Sequence, residues 1–190
     1  MKISDFFGHL KNIITHKFWV VVYGRKLGCS WWRLLMHDMS KFSKEEFVES
    51  VIFYRGNASP IPYCKSIKGY SMAWQHHKGR NKHHYEYWTD NYDAGTTTIP
   101  IPLDYVIEMM ADWMAAGRTY MGKGFSIENQ KNWWENKKKE SFKIHPATFS
   151  LIDDFYAQKE FSWDYFKREE VRNNYITLIL SHMMNKDGRA

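Results

Sequence analysis

Apolar residues in this chain recur at intervals of three and four positions, which is the spacing of one buried face of an α-helix. In the first segment this spacing is followed by Phe6, Leu10, Ile13, Ile14 and Phe18. We therefore predict a first helix over about residues 3–23. No long segment alternates apolar and polar residues as a half-buried strand would. The sequence predicts an all-α fold, a helical bundle in a single domain.

Further helices follow from start and stop signals along the chain. Ser43 and Glu46 form the pattern of a capping box, and Gly117 is a natural C-terminal stop. The predicted helices are a short one ending near His37, then about 43–54, 70–77, 103–117, 127–139, 146–158 and 163–184. Gly79 is expected to break the helix of 70–77, with Tyr85–Trp88 as a continuation. Two Pro- and Gly-rich segments, 56–62 and 93–102, are predicted to be loops.

Length, cysteine content and charge limit the class of protein. A chain of 190 residues fits one domain, residues 1–190. Cys29 and Cys64 have no CxxC partner, which indicates reduced thiols and a cytoplasmic protein. The apolar run at 18–23 is too short to span a membrane. A formal charge of +6 makes a small anionic substrate or a nucleic acid a plausible partner, and nothing in the sequence indicates an oligomeric state.

Histidine is concentrated in the first half of the chain, which contains seven of the nine histidines. Imidazole is the commonest protein ligand for transition metals, and carboxylates complete such sites. His37 and Asp38 are adjacent where a short helix is expected to end, which would let both side chains reach one ion. His16 on the preceding helix and Asp112 on the helix at 103–117 can converge with them, as ligands do in metal-binding helical bundles.

A second group of histidines lies between residues 76 and 84. On a continuous helix His77, Asn81 and His84 would share one face. His77 and His84 would then lie about 10 Å apart, too far to bind one ion directly, so they would serve two metals or one of them would contact substrate. His83 is an alternative to His84, and His76 with His83 is an alternative inward pair. We count His77, His83 and His84 as candidate ligands and Asn81 as a candidate substrate-binding residue.

Three further residues are candidates for chemistry around the ions. Glu108 lies one turn before Asp112, on the same helix face. It is expected to orient a ligand histidine or to act as a general acid or base. Lys41 and Arg118 lie near predicted ligands, where a cation can hold a phosphate oxygen.

These residues resemble the pattern of the HD-domain superfamily of metal-dependent phosphohydrolases, which is His, then His-Asp, then a distant Asp. The string His37-Asp38-Met39-Ser40-Lys41 is similar to the His-Asp-Ile-Gly-Lys of many members. The segment at 111–116 is similar to the Ala-Asp-x-x-x-Ala segment that supplies the last aspartate. The paired His76-His77 resembles the pair that adds ligands in dinuclear members. The resemblance implies a helical HD-type domain, with a metal-site core at about 10–120 and C-terminal helices at 127–184.

Two details refine this resemblance. Lys78 stands where dinuclear phosphodiesterases have an acid after the paired histidines, and the Gly-Tyr-Pro of one such subgroup is absent, which argues against cyclic dinucleotide hydrolysis. Over about residues 10–150 the chain is also similar to a family of small bacterial and phage proteins. The landmarks of that family are His-Asp-x-Ser-Lys-Phe, Asn-x-His-His and Glu-Met-x-x-Asp-Trp. This second similarity implies no activity.

The sequence therefore predicts a metal-dependent phosphohydrolase, a phosphatase or phosphodiesterase that acts on a nucleotide or a related phosphate ester. One or two divalent ions of iron, manganese, zinc, nickel or cobalt would activate water. Asp38 is the expected bridge between two ions, and Lys41 is expected to stabilise charge on the phosphoryl oxygens. Two alternatives remain: a dinuclear-iron oxygenase of the same superfamily, and a non-enzymatic basic module that binds nucleic acid or protein. Nucleic-acid binding is not favoured, because it does not explain the order of His and Asp.

Overall fold

The computed structural model describes residues 2–92 and 95–187, and helices make up most of this part of the chain. The helices are α1 Ile3–Leu27, α2 Trp31–Met36, α3 Lys44–Ile52, α4 Pro60–Lys68, α5 Met72–Arg80, α6 Leu103–Met121, α7 Ile127–Lys137, α8 Pro146–Tyr156 and α9 Glu169–Asp187. Two short antiparallel strands, β1 Thr89–Tyr92 and β2 Gly95–Thr98, form a hairpin between α5 and α6. The predicted all-α class and single helical domain are confirmed.

The helices α1 and α6 pack against each other more extensively than any other pair of elements. Val20 and Leu27 of α1 and Met110 and Met114 of α6 are all fully buried. Their apolar faces hold the two helices in register, because buried apolar surface provides most of the stability of packed helices. The same pair of faces carries His16 and Asp112, so the packing of α1 on α6 brings these two residues together.

The C-terminal helices add a second, aromatic part of the hydrophobic core. Trp134 of α7, Ile152 and Phe155 of α8, and Phe166 just before α9 are fully buried. Phe155 stacks on Phe166 with ring centroids 4.9 Å apart. These side chains belong to the same buried cluster as the α1–α6 core, and Trp134 stacks on Trp113 of α6.

Several predicted boundaries were wrong, for identifiable reasons. The segment 56–62 is not all loop, because Ser59 caps α4 and Pro60 occupies its first turn, where proline is tolerated. Gly117 does not end α6; it lies inside the helix and makes room for Phe125, whose ring would lie 2.7 Å from an added Cβ. Gly79 likewise lies inside α5.

The ends of the chain also differ from the prediction. The first helix continues past residue 23 to Leu27 and ends at Gly28, whose φ of 101° is left-handed. The last helix starts later than residue 163, because a short 3₁₀ turn and an extended Arg168 precede α9.

In the predicted loop 93–102, residues 95–98 form β2, while residues 93 and 94 lie outside the described part. No helix in the described part of the chain is long and apolar enough to cross a membrane.

Candidate metal centre

The turn after α2 directs two adjacent side chains into the protein. His37 leaves the helix with ψ 129°, and Asp38 has φ 54°, the only positive φ of a non-glycine residue in the described part of the chain. Asp is one of the few residues that adopt this left-handed conformation at modest cost. The Lys17 ammonium group on α1 donates hydrogen bonds to the carbonyls of His37 (2.7 Å) and Leu35 (3.0 Å). The turn is therefore fixed, and both His37 and Asp38 are almost completely buried.

A first group of potential ligands combines this turn with α1 and α6. Its members are His16, His37, Asp38 and Asp112, all buried, with ligand atoms within 4.8 Å of one another. Nε2 of His16 lies 2.9 Å from Oδ1 of Asp112 and 3.5 Å from Oδ2 of Asp38. Nε2 of His37 lies 3.2 Å from the same Asp38 oxygen. The structure thus brings together the four residues that the sequence predicted to converge from three helices.

A second group of potential ligands uses the other oxygen of Asp38. Its members are Asp38, His77, His83 and His84, again all buried and within 4.8 Å of one another. Oδ1 of Asp38 lies 3.3 Å from Nε2 of His77 and 3.2 Å from Nε2 of His83. The two groups share Asp38 and no other residue. This arrangement is suited to two ions bridged by one carboxylate.

The chemistry of these atoms fits metal binding. Several of them are buried and make no hydrogen bond: Nε2 of His16, His37, His83 and His84, and both carboxylate oxygens of Asp38, of which Oδ2 forms an ion pair with Lys41. Native proteins rarely leave buried polar atoms unpaired without a reason such as an ion. Ligand atoms about 2.0–2.2 Å from a single ion lie roughly 3–3.5 Å apart. The observed separations of 2.9–3.5 Å match that spacing.

Histidines 83 and 84 do not reach the cluster by continuing the helix of His77. Gly79 does not interrupt α5, which runs on to Arg80 before the chain turns at Asn81. The turn brings His83 and His84 back toward His77, whose ring centroid lies 4.7 Å from that of His84. The predicted separation of about 10 Å assumed a continuous helix and was wrong. His76 points away from the group, and its Nδ1 lies 2.7 Å from Glu46.

Glu108 lies behind the ligand histidines, on the side opposite Asp38. One of its carboxylate oxygens accepts hydrogen bonds from Nδ1 of His37 (2.9 Å) and lies 3.3 Å from Nδ1 of His83. Arg33 donates to the other oxygen at 3.1 Å. A carboxylate at Nδ1 fixes the ring so that Nε2 faces the metal. Of the two roles predicted for Glu108, this position is that of the orienting residue, and it places the carboxylate away from the cavity that Lys41 lines.

Glu46 has a matching position that the sequence interpretation missed. Its carboxylate lies 2.7 Å from Nδ1 of His77. Of the capping box, only the hydrogen bond from the Glu46 backbone N–H to the Ser43 hydroxyl is formed. The predicted capping box is therefore half formed, because the Glu46 side chain turns inward to the histidines. The sequence signal that could have found it is an acidic residue about one turn into the helix that follows His37-Asp38. In the structure this helix, α3, packs on α5.

The buried carboxylates of the cluster are ionised, and nearby positive charge stabilises them. Burial opposes ionisation of Asp38, but His37 and Lys41 outweigh it and hold the pKa of the carboxyl well below its usual range. Burial also opposes protonation of His37, yet Asp38 and Asp112 raise its pKa well above normal. Burial and the neighbouring His83 lower the pKa of His84, which favours the neutral form that binds metals. Hydrogen bonds from His37 and His83 outweigh burial and lower the pKa of Glu108 to about 2.

A cavity of about 240 Å³ opens beside both ligand groups. His16, His77, His84 and Asp112 form its floor. Lys41 lines the same cavity, and its Nζ lies 2.5 Å from Oδ2 of Asp38. Asp38 outweighs the effect of burial and raises the pKa of Lys41, so this lysine is a cation. The predicted phosphate-holding residue thus lies next to the predicted bridging carboxylate.

The other two predicted substrate-binding residues lie elsewhere. Asn81 donates to Ser40 (2.8 Å) and to the His77 carbonyl (2.8 Å), and it lines a separate cleft behind His37. Arg118 donates to the carbonyl of Gly122 at 2.6 Å and lies over the ring of Trp19. Six residues beyond Asp112, Arg118 faces another side of α6, so the structure does not bring it to the cluster.

Comparison with known families and proteins gives one match. The chain belongs to DUF5662, a family of unknown function, whose model matches residues 5–158. This range includes every residue of the two ligand groups. The comparisons with curated proteins and with solved structures find no match.

Proposed function

We propose that this protein is a dinuclear metal-dependent hydrolase that acts on a small phosphate ester. The observation that carries the proposal is the position of Asp38. Each of its carboxylate oxygens belongs to a separate set of histidine and aspartate ligands, and Lys41 contacts it from a cavity open to a substrate. A carboxylate shared by two ions beside a fixed cation would suit phosphoryl hydrolysis, because it would place an activated water and positive charge next to a bound phosphate ester.

The residues divide the work as follows. His16, His37 and Asp112 would hold one ion, and His77, His83 and His84 the other, with Asp38 common to both. Divalent ions bound there would lower the pKa of a coordinated water toward neutrality and polarise a phosphoryl oxygen. Glu108 and Glu46 keep the Nε2 atoms aimed inward through hydrogen bonds to Nδ1. Lys41 would bind a phosphoryl oxygen and offset the charge that develops during attack.

We further propose that the domain is of the HD type. Support comes from the order of the ligands along the chain, which is His, His-Asp, a histidine group and a distant Asp. These residues are buried and lie close together. They are positioned by helices α1, α5 and α6 and by the turns that follow α2 and α5. Four of the six short separations within the groups involve Asp38, the residue that the pattern assigns to both metals.

The proposed substrate is a nucleotide or another small phosphate ester. The net charge of +6 and the cationic Lys41 favour an anionic ligand. The cavity of about 240 Å³ favours a small molecule over a nucleic-acid strand, because the ligand atoms lie at its floor and not on an open surface.

A second candidate activity is oxygen-dependent chemistry at two irons. The observation that favours it is the number of imidazoles, since five histidines and two aspartates line the two groups. Nitrogen-rich sites of this kind suit iron as well as manganese, zinc and other transition metals. Protein purified without oxygen and analysed for metals separates the two activities. Two irons per chain together with an oxygen-dependent product would rule out hydrolysis.

The proposal is tested with Asp38→Asn and a screen of phosphatase and phosphodiesterase substrates that includes a nucleotide panel. Asn tolerates the left-handed backbone of position 38, so the variant removes charge and leaves the turn intact. Elemental analysis should find up to two divalent ions per wild-type chain and neither in Asp38→Asn, with hydrolysis lost. Asp164→Asn on the exposed surface is the matched control and should keep both. Full metal content in Asp38→Asn, or metal-loaded wild type without hydrolysis, would refute the proposal.

A further inference from the structure

The cavity beside the ligand groups extends along α1 away from the metal ligands. His9, Ile13 and His16 line it and succeed one another at steps of four and three, so they share one face of the helix. His9 and His16 are separated by two helical turns, or about 10 Å. His9 therefore lines the cavity two helical turns away from the ligand His16.

His9 has a buried atom with an unmet need for a hydrogen bond. Its side chain is only 7% exposed, and Nδ1 has no partner. Among the residues that the structure describes, the buried side-chain atoms without a partner belong to the metal ligands, with the exceptions of His9 and Glu86. Of these two, His9 lines the cavity. His9 is thus a cavity-lining residue outside the two ligand groups with a buried nitrogen that makes no hydrogen bond.

The walls of the cavity are largely apolar. Ile13, Ile61 and Ala116 contribute to them, together with the polar side chains of Asn12, Ser50 and Ser59, and Lys41 and Glu46 contribute opposite charges. His9 is not a second cation, because burial and the nearby Lys41 lower its pKa to about 4. A neutral imidazole offers one donor and one acceptor. It therefore suits an uncharged polar group and not a second phosphate.

We propose that His9 is a specificity-determining residue, which hydrogen-bonds a neutral hydroxyl, amide or amine group at the far end of the substrate. The substrate class is then a small phosphate monoester with an apolar middle and a polar end, long enough to span two turns of α1. This inference rests on the proposed function, because it places the phosphate at the metal ligands and Lys41.

The experiment measures binding independently of turnover. Isothermal titration of metal-loaded protein compares ω-hydroxyalkyl phosphonates with alkyl phosphonates of the same chain length, over a series of lengths. The variants are His9→Leu, which keeps the volume and removes the hydrogen bond, and His9→Gln, which restores a neutral donor and acceptor. If His9→Leu does not fold, His9→Met takes its place. Metal content and unfolding temperature are measured for each variant.

Wild type should prefer the hydroxyl-bearing phosphonate by about tenfold or more at one chain length, as sites built to hydrogen-bond a hydroxyl discriminate strongly. His9→Leu should lose that preference with unchanged metal content, and His9→Gln should recover part of it. A wild type without a preference at any length, or a preference retained in His9→Leu, would overturn the assignment, as would a complete lack of phosphonate binding.

Hydrolysis of the matching phosphate esters separates this inference from the function on which it rests. Esters hydrolysed at equal rates by wild type and His9→Leu, with no length or hydroxyl preference, would leave the hydrolase standing and remove the role of His9. A preference that depends on His9 in binding, without hydrolysis of any ester, would refute the hydrolase and retain the polar end of the cavity.

Discussion

The two halves of this protein treat buried polar groups in opposite ways. In the C-terminal half buried polar side chains are paired with one another: Gln130 donates to the Tyr156 hydroxyl (3.2 Å), and Thr148 and Tyr175 share a hydrogen bond of 2.8 Å. In the N-terminal half, Asp38 and the histidines around it have buried atoms that make no hydrogen bond. Unpaired buried groups reduce stability by about 1–3 kcal/mol each. The C-terminal half therefore stabilises the fold. This stability offsets the cost of the buried atoms that the N-terminal half keeps available for ligands.

Removal of metal should have the largest effect on this contrast. A chelator should reduce hydrolysis by about 10³-fold or more, because the ions supply the nucleophile and the charge stabilisation. It should also lower the unfolding temperature, since ions that bind only the folded state stabilise it by about 4 kcal/mol at 1,000 times their Kd. Scanning calorimetry measures the shift. Asp38→Asn is the control and should unfold at the same temperature with and without chelator; a chelator-dependent shift in that variant would contradict the shared role of Asp38.

Phe155→Ala should have the next largest effect, and it should act only on stability. Phe155 is fully buried and stacks on Phe166. Truncation of a buried Phe reduces the free energy of unfolding by about 3–5 kcal/mol. Urea denaturation checks the size of the loss. Metal content and kcat per folded chain, measured at low temperature, should match wild type; loss of metal in folded Phe155→Ala would show that the two halves are not independent.

Two orienting carboxylates provide a matched pair around the histidine cluster. Glu108 contacts one histidine of each ligand group, whereas Glu46 contacts His77 of the second group only. Loss of such a partner typically weakens metal affinity by about 10–100-fold. Glu108→Gln should weaken the binding of both ions, and Glu46→Gln should weaken the binding of one. Metal titrations with a competing chelator resolve the two steps, and the same loss pattern in both variants would contradict the assignment.

Glu49 tests the comparison between the two halves, because it lies in the N-terminal half and its carboxylate has several hydrogen-bond partners. It accepts hydrogen bonds from Lys68, Ser71 and the Ala73 N–H, and these outweigh desolvation and lower its pKa to about 2. A lowered pKa stabilises the folded state above the unfolded value near 4.5 and loses that contribution as the pH falls toward about 2.

Glu49→Gln should therefore be about 1.5 kcal/mol less stable than wild type at pH 7, with the difference shrinking between pH 4.5 and 2. Denaturation at several pH values measures the difference. Activity at pH 7 should stay within twofold, because Glu49 is not among the ligand or cavity residues. A difference in stability that is constant down to pH 2 would contradict the role of its charge.

The sequence was sufficient for the fold class and for naming the histidines and aspartates that the fold brings together around Asp38, since helical spacing and the order of His and Asp are local patterns. It could not give the course of the chain after α5. Residues 77–84 have helical spacing, but the turn at Asn81 depends on how His83 and His84 pack against His77. It also missed the short hairpin, whose four-residue strands carry too little alternation to detect.

The errors at Glu46 and Arg118 share a cause. Each residue has a reasonable local interpretation, as a capping residue and as a phosphate-binding cation. In the folded protein their partners are distant in sequence or lie on another helix face: Glu46 reaches His77, and Arg118 lies over Trp19. Glu108 was predicted better, because its offset of four residues from Asp112 fixes its helix face whatever the tertiary contacts are.

The left-handed backbone of Asp38 limits which amino acids can occupy that position. Gly, Asn and Asp are the residues that adopt φ near +54° with little strain. Of these three, only Asp has two anionic oxygens on a short side chain. Glu supplies the same carboxylate but adds a methylene and disfavours the backbone. Asp is therefore the residue that fits both the backbone of this turn and the shared carboxylate of the proposed site, and a homologue with Asn or Gly here would keep the turn and lose the carboxylate.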